Sequence, residues 1–299
     1  MSRAPEPVRC PCCGSTDVRL RWAEKLPREV TSTEFSYAAD RRYHGRILGC
    51  RACGHGFVHP LPVDDAVSLY SAVEDAQYVR SEAQRRRTFN EFLDLKETFV
   101  PERGSLLDVG CYVGLCMEEA RRRGYSVEGT ELSRWAVDVA RSRGLAVHSL
   151  PVTALGRLDR SYDAVVAFDV LEHLADPLGA LVAIRTRLGE GGCFFATVPD
   201  MGMWHARLLG ERHWLVMLMH FQYFKRRSLE RLLERAGFSR VSLATAPPYR
   251  VVLDDAVEIA EYNPLVRLPL SLARTVLPHL GVRELSLKAS LFVAAWKQG

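Results

Sequence analysis

Between residue 105 and the end of the chain, short apolar segments alternate with longer amphipathic ones. This alternation limits the available folds more than any other feature of the sequence. The amphipathic segments carry apolar residues at helical spacing, and two of them begin at cap residues, Ser133 and Asp176. The predicted strands are SLLDVG (105–110), YSVEGTEL (125–132), LAVHSL (145–150), YDAVVAFDVL (162–171), GCFFATVP (192–199), SRVSLATA (239–246) and LKASLFVAAW (287–296). Strands separated by helices of this length predict an α/β fold with a doubly wound parallel sheet.

Acidic residues lie at the carboxyl ends of the first two predicted strands, at the edge where sheets of this kind bind ligands. The first strand leads into DVGCYVG (108–114), where Tyr112 replaces the middle glycine of the dinucleotide fingerprint, and the chain has no phosphate-binding P-loop motif. Asp108 can attract an ammonium group, while the amides of the turn and the helix can accept a carboxylate. Glu131 can accept two ribose hydroxyls. An amino acid joined to a ribose describes S-adenosylmethionine.

Four segments then resemble, in order, the motifs of class I S-adenosylmethionine-dependent methyltransferases. They are LLDVGCYVG (106–114), VEGTELS (127–133), YDAVVAFDVLEHLADP (162–177) and LGEGGCFFATVP (188–199). The resemblance covers about residues 100–247 and the last strand. It implies a Rossmann-like methyltransferase sheet and a small-molecule acceptor such as a sugar, a quinone or a secondary metabolite, with O-methylation as the expected reaction.

The resemblance also implies roles for individual residues around the cofactor. Gly110 and Gly114 join Asp108 around the methionine part, and Glu131 binds the ribose. Leu132 packs on the adenine, and Asp169 lies beside the transferable methyl group. Tyr112 stands where many members have glycine, and we interpret it as lining the methionine pocket. These seven residues are Asp108, Gly110, Tyr112, Gly114, Glu131, Leu132 and Asp169.

Methyl transfer to a hydroxyl requires a base, and histidine suits that role at neutral pH. His220 is the first candidate, because it precedes a helix start in the manner of the resembled subgroup, and His173 in DVLEHL is the second. Asp169, Glu172 and His173 also suggest a site for Mg²⁺, a hypothesis that stays open beside the base. An aromatic set is predicted to cover the acceptor: Trp204, Trp214, Phe221, Tyr223 and Phe224.

The front of the chain carries two C-x-x-C-G segments, CPCCG (10–14) and CRACG (50–54). Two residues between thiolates let the backbone fold around one ion, and four thiolates close a tetrahedral structural zinc site. Cys10, Cys13, Cys50 and Cys53 are the predicted ligands, with Cys12 left over. His55 and His59 are interpreted as surface or turn residues. The predicted units are a zinc ribbon (1–62), a helical linker (63–100) and the methyltransferase domain (101–299), with a helical lid insertion at about 248–286.

The formal net charge of +4 from 299 residues is too small to indicate a nucleic-acid partner by itself. An RNA methyltransferase that grips RNA with the zinc ribbon remains the alternative function, and a cofactor-binding scaffold without catalysis is a third. No apolar run reaches the ~20 residues of a membrane span, and no signal pattern is present at the start. A cytoplasmic location is therefore expected, with a peripheral membrane contact for a lipid-like acceptor left open.

Overall fold

The computed structural model describes residues 7–35, 43–61, 66–252, 284–287 and 289–297. The strands are β1 (Val18–Trp22), β2 (Ile47–Cys50), β3 (Gly56–Val58), β4 (Ser105–Val109), β5 (Ser126–Thr130), β6 (Val147–His148), β7 (Tyr162–Phe168), β8 (Leu188–Pro199), β9 (Gln222–Tyr223), β10 (Phe238–Thr245), β11 (Tyr249–Val252), β12 (Glu284–Leu287) and β13 (Ser290–Lys297). The α-helices are α1 (Ala66–Ser71), α2 (Ala76–Arg80), α3 (Glu82–Phe99), α4 (Leu115–Arg122), α5 (Arg134–Ser142), α6 (Pro177–Arg187), α7 (Trp204–Leu209) and α8 (Arg226–Arg235).

Seven strands form the central sheet in the order β10-β13-β8-β7-β4-β5-β6. The five strands from β8 to β6 pair in parallel, as the alternation predicts. β13 differs, because it pairs antiparallel with both β8 and β10. The prediction of a parallel sheet is therefore corrected to a mixed sheet with one reversed strand. β4 is followed on one side by β5 and on the other by β7, so the strand order switches direction at the carboxyl end of β4, where such sheets bind ligands.

The helices of this domain begin where the sequence places their caps. The Ser133 hydroxyl accepts a hydrogen bond from the Ala136 amide at 3.2 Å at the start of α5. The Asp176 carboxylate accepts one from the Gly179 amide at 2.9 Å at the start of α6. These side chains satisfy amides that the first turn of a helix leaves without a partner. The predicted α/β fold is confirmed on this point.

A smaller antiparallel sheet contains β1, β2 and β3 from the front of the chain and β9 from the methyltransferase segment. Gly56 and Phe57 of β3 lie opposite Tyr223 and Gln222 of β9. The buried side chains around the front cysteines belong to the same apolar core as the central sheet. The front segment and the methyltransferase segment therefore share both a sheet and a core, while the boundary at residue 62 stays a prediction.

Most of the predicted lid insertion lies outside the described residues. At its two ends, β11 and β12 pair antiparallel. Among the residues that the structure describes, no helix combines the length and the apolar character needed to cross a bilayer.

Candidate functional site

Asp108 and Glu131 lie buried at the ends of β4 and β5, with 3% and 2% of their surfaces exposed. Among the residues that the structure describes, one carboxylate oxygen of Asp108, Oδ2, has no hydrogen-bond partner. Burial, and then the nearby charge of Glu131, raises the pKa of Asp108 to about 7. A buried carboxylate without a partner is costly in an empty protein, so this site is suited to a cationic ligand group.

The carboxylate of Glu131 is held by three backbone amides. Its Oε2 accepts from Tyr112 at 3.0 Å, and its Oε1 accepts from Leu132 at 2.6 Å and Ser133 at 2.8 Å. Burial still raises the pKa of Glu131, although these three bonds oppose the shift. Glu131 thus joins the turn after β4 to the loop after β5. Oε1 already accepts two bonds, whereas Oε2 accepts one and has capacity for another, so the predicted contact with ribose is compatible with this geometry at Oε2.

The turn after β4 has left-handed backbone at three positions. Gly110 and Gly114 have φ of +72° and +81°, and a Cβ at Gly114 would collide with Leu145. Tyr112 has φ of 49° although it is not glycine. Its ring packs edge-on against the ring of Tyr78, with 4.4 Å between the ring centroids. The ring of Trp135 is tilted against it, with 5.9 Å between the centroids. The tyrosine at the glycine place is therefore held by an aromatic cluster beside the turn.

The segment before α3, which the sequence suggested only as a linker, lies against this turn. The Ser133 hydroxyl donates to the Val73 carbonyl at 2.8 Å, and the Asp75 carboxylate accepts from the Tyr78 amide at 3.0 Å. Burial raises the pKa of Tyr78 to about 12, and the charges of Asp108 and Asp169 contribute to the shift. Tyr78 therefore lies near the carboxylates of Asp108 and Asp169. Sequence reasoning missed it, because nothing in its local pattern separates it from an ordinary helical tyrosine.

Asp169 follows β7 with φ of 56°, in the left-handed region. Its amide donates to the Thr197 carbonyl at 3.1 Å, and its Oδ1 accepts from the Thr197 hydroxyl at 2.8 Å. Strand β8 thereby holds the carboxylate at the end of β7. An unusual backbone conformation supported by its surroundings is common in functional sites.

Glu172, His173 and His220 converge on one point, with their candidate ligand atoms all within 4.8 Å of one another. The two imidazole rings lie 4.8 Å apart in an edge-on arrangement. His173 Nδ1 donates to the Met219 carbonyl at 2.9 Å, and His220 Nδ1 donates to the Leu215 carbonyl at 2.8 Å. A carbonyl can only accept, so each Nδ1 carries the proton and each Nε2 presents a lone pair.

Burial favours the neutral forms of His173 and Glu172 in this cluster. Burial lowers the pKa of His173 to about 4, and the hydrogen bond to Met219 opposes that shift. Burial, and then the charge of Asp169, raises the pKa of Glu172. The Oε2 atom of Glu172 is buried without a hydrogen-bond partner in the described part of the chain. The Nε2 lone pairs of the two histidines can accept a proton or, together with Glu172, bind a cation.

The predicted aromatic cover for the acceptor is corrected by the structure. Phe221, Tyr223 and Phe224 are buried in the protein core, and the Tyr223 hydroxyl donates to the Met217 carbonyl at 3.3 Å. Trp204 is 73% exposed on α7. Trp214 stacks on His213 with 3.9 Å between ring centroids. Phe221 and Tyr223 pack in one buried apolar cluster and Phe224 packs in another, so these side chains do not form one common surface.

The four predicted cysteine ligands come together at the front of the chain, again within 4.8 Å of one another. Cys10 Sγ lies 3.7 Å from Cys53 Sγ, and Cys13 Sγ lies 3.5 Å from Cys50 Sγ. These are not disulfide distances, which are about 2 Å. Cys12 is fully buried beside them.

His55 is not the surface or turn histidine that the sequence suggested. It has no exposed surface, and its Nε2 lies 2.9 Å from Gln222 Oε1. Its ring packs against Phe57 and Phe224. The signal that could have found it is its position directly after a cysteine pair and before an apolar strand.

A Rossmann-like sheet with buried acidic groups at the ends of β4 and β5 defines a cofactor-dependent enzyme of the α/β class. The chain belongs to the methyltransferase domain family, whose model matches residues 81–243, and it is an S-adenosylmethionine-dependent methyltransferase. A ubiquinone biosynthesis O-methyltransferase of Ralstonia nicotianae is 31% identical over 58% of this chain and 73% of its own length.

Further similarities are more limited. A relative of the same name from Alkalilimnicola ehrlichii is 37% identical, over 29% of this chain and 38% of its own length. The chain thus spans less than half of that relative. A solved S-adenosylmethionine-dependent methyltransferase of Archaeoglobus fulgidus has a TM-score of 0.52 at 16% identity, covering 75% of this chain and 100% of its own, which shows a common fold.

Proposed function

We propose that this protein transfers the methyl group of S-adenosylmethionine to a hydroxyl oxygen of a quinol-type small molecule. The observation that carries the proposal is the convergence of Glu172, His173 and His220 beside the carboxyl end of β7. The names of the relatives from Ralstonia nicotianae and Alkalilimnicola ehrlichii support O-methylation of a quinone precursor.

The cofactor supplies an electrophilic methyl group on a sulfonium, and the chain's residues bind and orient it. Asp108 would neutralise the cofactor's ammonium group, since its unpartnered oxygen is buried at the strand end. Glu131 would accept a ribose hydroxyl at Oε2, and Leu132 would contact the adenine. Gly110 and Gly114 shape the turn, and Tyr112 would line the methionine pocket against Tyr78. Asp169 would lie beside the transferable methyl.

His220 is the proposed base for the acceptor hydroxyl. Its Nδ1–H bond to Leu215 orients the ring and leaves Nε2 as the proton acceptor. His173 has the same tautomer, but a pKa lowered to about 4 makes it a weak base at neutral pH. We assign proton removal to His220, the first candidate from the sequence, and we assign His173 to orienting the acceptor through its Nε2.

A divalent cation at the same cluster is a second proposal. The Mg²⁺ hypothesis drawn from sequence used Asp169, Glu172 and His173, whereas the convergent donors are Glu172, His173 and His220. Mg²⁺ prefers oxygen ligands, and imidazole suits zinc, iron and similar ions better. Bound there, a cation would attract the acceptor's oxygens. Activity that survives exhaustive EDTA treatment rejects this role, and activity restored by an added cation supports it.

Zinc is the proposed ion for Cys10, Cys13, Cys50 and Cys53. Four sulfurs at about 2.3 Å from one ion lie roughly 3.8 Å apart at the corners of a tetrahedron. The sulfur distances of 3.7 Å and 3.5 Å fit that figure. Four thiolates leave no open position, so the role is structural.

The test is a methyl-transfer assay with mass-spectrometric detection, using S-adenosylmethionine and catechol-type acceptors. We expect one added methyl group on oxygen. His220→Ala should lower kcat by about 10²- to 10⁴-fold, the usual contribution of a general base, with unchanged cofactor affinity. His148→Ala is a matched control, because this half-exposed histidine binds Glu128 near the far edge of the sheet. Full activity of the His220→Ala enzyme would refute the assignment of the base.

An RNA methyltransferase and a non-catalytic scaffold are each distinguished by binding measurements on the same protein. Salt-dependent RNA binding would support the alternative function of an RNA methyltransferase. No contact among the described residues favours that alternative. Cofactor binding without transfer to any acceptor would favour a scaffold. A cytoplasmic location and a peripheral membrane contact remain predictions, the second resting on the lid insertion.

A further inference from the structure

A chain of buried contacts joins the second cysteine pair to the two histidines of the candidate active site. It begins at Cys53, passes through Gly54 to His55, and crosses to Gln222 on β9. It ends at Leu174, the residue directly after His173. His55 and Gln222 are only 0% and 3% exposed, so these contacts lie away from solvent.

The contacts among His55, Gln222 and Leu174 fit a single assignment of hydrogen-bond donors and acceptors. Gln222 Nε2 donates to the Leu174 carbonyl at 2.8 Å, so its Oε1 faces His55. His55 Nε2 lies 2.9 Å from that oxygen and must donate to it. The side-chain amide of Gln222 is thus held at both ends.

Backbone hydrogen bonds connect the same segments of the protein. The Phe221 amide donates to the Glu172 carbonyl at 2.7 Å, and the Val58 amide donates to the Phe221 carbonyl at 2.9 Å. His173 in turn binds Met219. The residues on either side of His220 are therefore attached to β3 of the cysteine segment and to the segment that carries Glu172 and His173.

We propose that His55 and Gln222 are positioning residues, through which the cysteine site sets the placement of His173 and His220. The inference rests on the proposed function for its kinetic consequence, but the placement of the histidines can be measured without it. The zinc site, placed more than a hundred residues away from those histidines in sequence, would then support the geometry of the reaction as well as the fold.

The test compares three substitutions in the full-length protein loaded with zinc. His55→Phe keeps the packing on Phe57 and Phe224 but leaves the Gln222 oxygen without its donor. His55→Gln restores an amide donor of similar reach. Gln222→Leu removes both bonds without altering the cysteine segment. Tyr125→Phe is the control, since it removes one buried hydroxyl, which donates to Glu97 at 3.1 Å near the amino end of β5.

The first readout is the side-chain NMR signals of ¹⁵N-labelled histidines, assigned with His173 and His220 substitutions and recorded with S-adenosylhomocysteine. We expect both signals to shift in His55→Phe and Gln222→Leu, to return towards wild type in His55→Gln, and to stay in place in Tyr125→Phe. Metal content by mass spectrometry and cofactor affinity by calorimetry should remain those of the wild type in Gln222→Leu.

The second readout is kinetic. A displaced base should lower kcat by about 10- to 100-fold at unchanged cofactor affinity, with rescue by His55→Gln. Unshifted signals in a metal-loaded Gln222→Leu protein would overturn the proposal. If the wild type methylates no quinol-type acceptor, the proposed function fails while the NMR comparison still decides this inference.

Discussion

Asp108 provides the sharpest prediction, because its carboxylate is buried with an unpartnered oxygen and faces the charge of Glu131. Its pKa rises from 3.8 to about 7. At about 1.4 kcal/mol per unit, ionising Asp108 in the empty protein costs on the order of 4 kcal/mol. The sign follows from linkage: this group's stability contribution is complete below its unfolded pKa and is lost as pH rises through the folded value.

A cationic ligand group should reverse that cost, since the ionised carboxylate then gains a partner. Cofactor binding by the wild type should therefore require deprotonation of Asp108. Its affinity should fall by up to about tenfold for each pH unit below 7, because the protonated form must first lose its proton. Asp108→Asn should bind the cofactor about 10- to 100-fold more weakly at pH 8, as expected for a lost charge-assisted hydrogen bond.

The assay is titration calorimetry between pH 5.5 and 8.5, in two buffers of different ionisation enthalpy. Wild type should release protons on binding near pH 7 and below, and Asp108→Asn should release fewer. Without cofactor, urea unfolding should show Asp108→Asn gaining stability relative to wild type as pH rises from 5.5 to 7, with no further gain above that range. A wild-type affinity that does not change between pH 6 and 8 would refute the assignment of Asp108 to the ammonium group.

Three further substitutions test other parts of the site. Glu131→Ala should weaken cofactor binding strongly, because the acceptor for the ribose and the three hydrogen bonds to backbone amides are lost together. An unchanged cofactor affinity by calorimetry would refute the assignment of Glu131 to the ribose. Cys50→Ser should lose zinc and lower the melting temperature, and full metal content by mass spectrometry would reject the four-cysteine site. Ser133→Ala removes a helix cap and the bond to Val73, so urea unfolding should show a loss of about 1–2 kcal/mol, and no loss would contradict the role of that contact.

Sequence patterns were sufficient for the features that depend on neighbours along the chain. The alternation of strands and helices, the caps at Ser133 and Asp176, and the acidic residues at the ends of β4 and β5 are local in this sense. The pairing of the two C-x-x-C-G segments also followed from sequence, because thiolates at that spacing suit one shared ion. Each of these features is encoded within a few residues, and the structure retains them.

Tertiary structure alone decided what depends on distant partners. The reversal of β13 is one such case. The direction of this strand depends on how it pairs with β8 and β10 and not on its own composition. His55 is another: it reads as a turn residue in sequence, yet its partner Gln222 is 167 residues away. The orientation of the rings of His173 and His220 likewise depends on backbone carbonyls that no side-chain pattern reveals.

The physical reason for this division is the range of the interactions. The periodicity of apolar side chains, helix capping and the spacing of metal ligands each involve only a few neighbouring residues. They can therefore be recognised in the sequence alone. Burial and the choice of hydrogen-bond partner depend on everything that packs nearby, and so do the pKa of Asp108 and the tautomers of the histidines. The sequence by itself thus determined the class of fold and the residues that could act, whereas packing decided which of them meet.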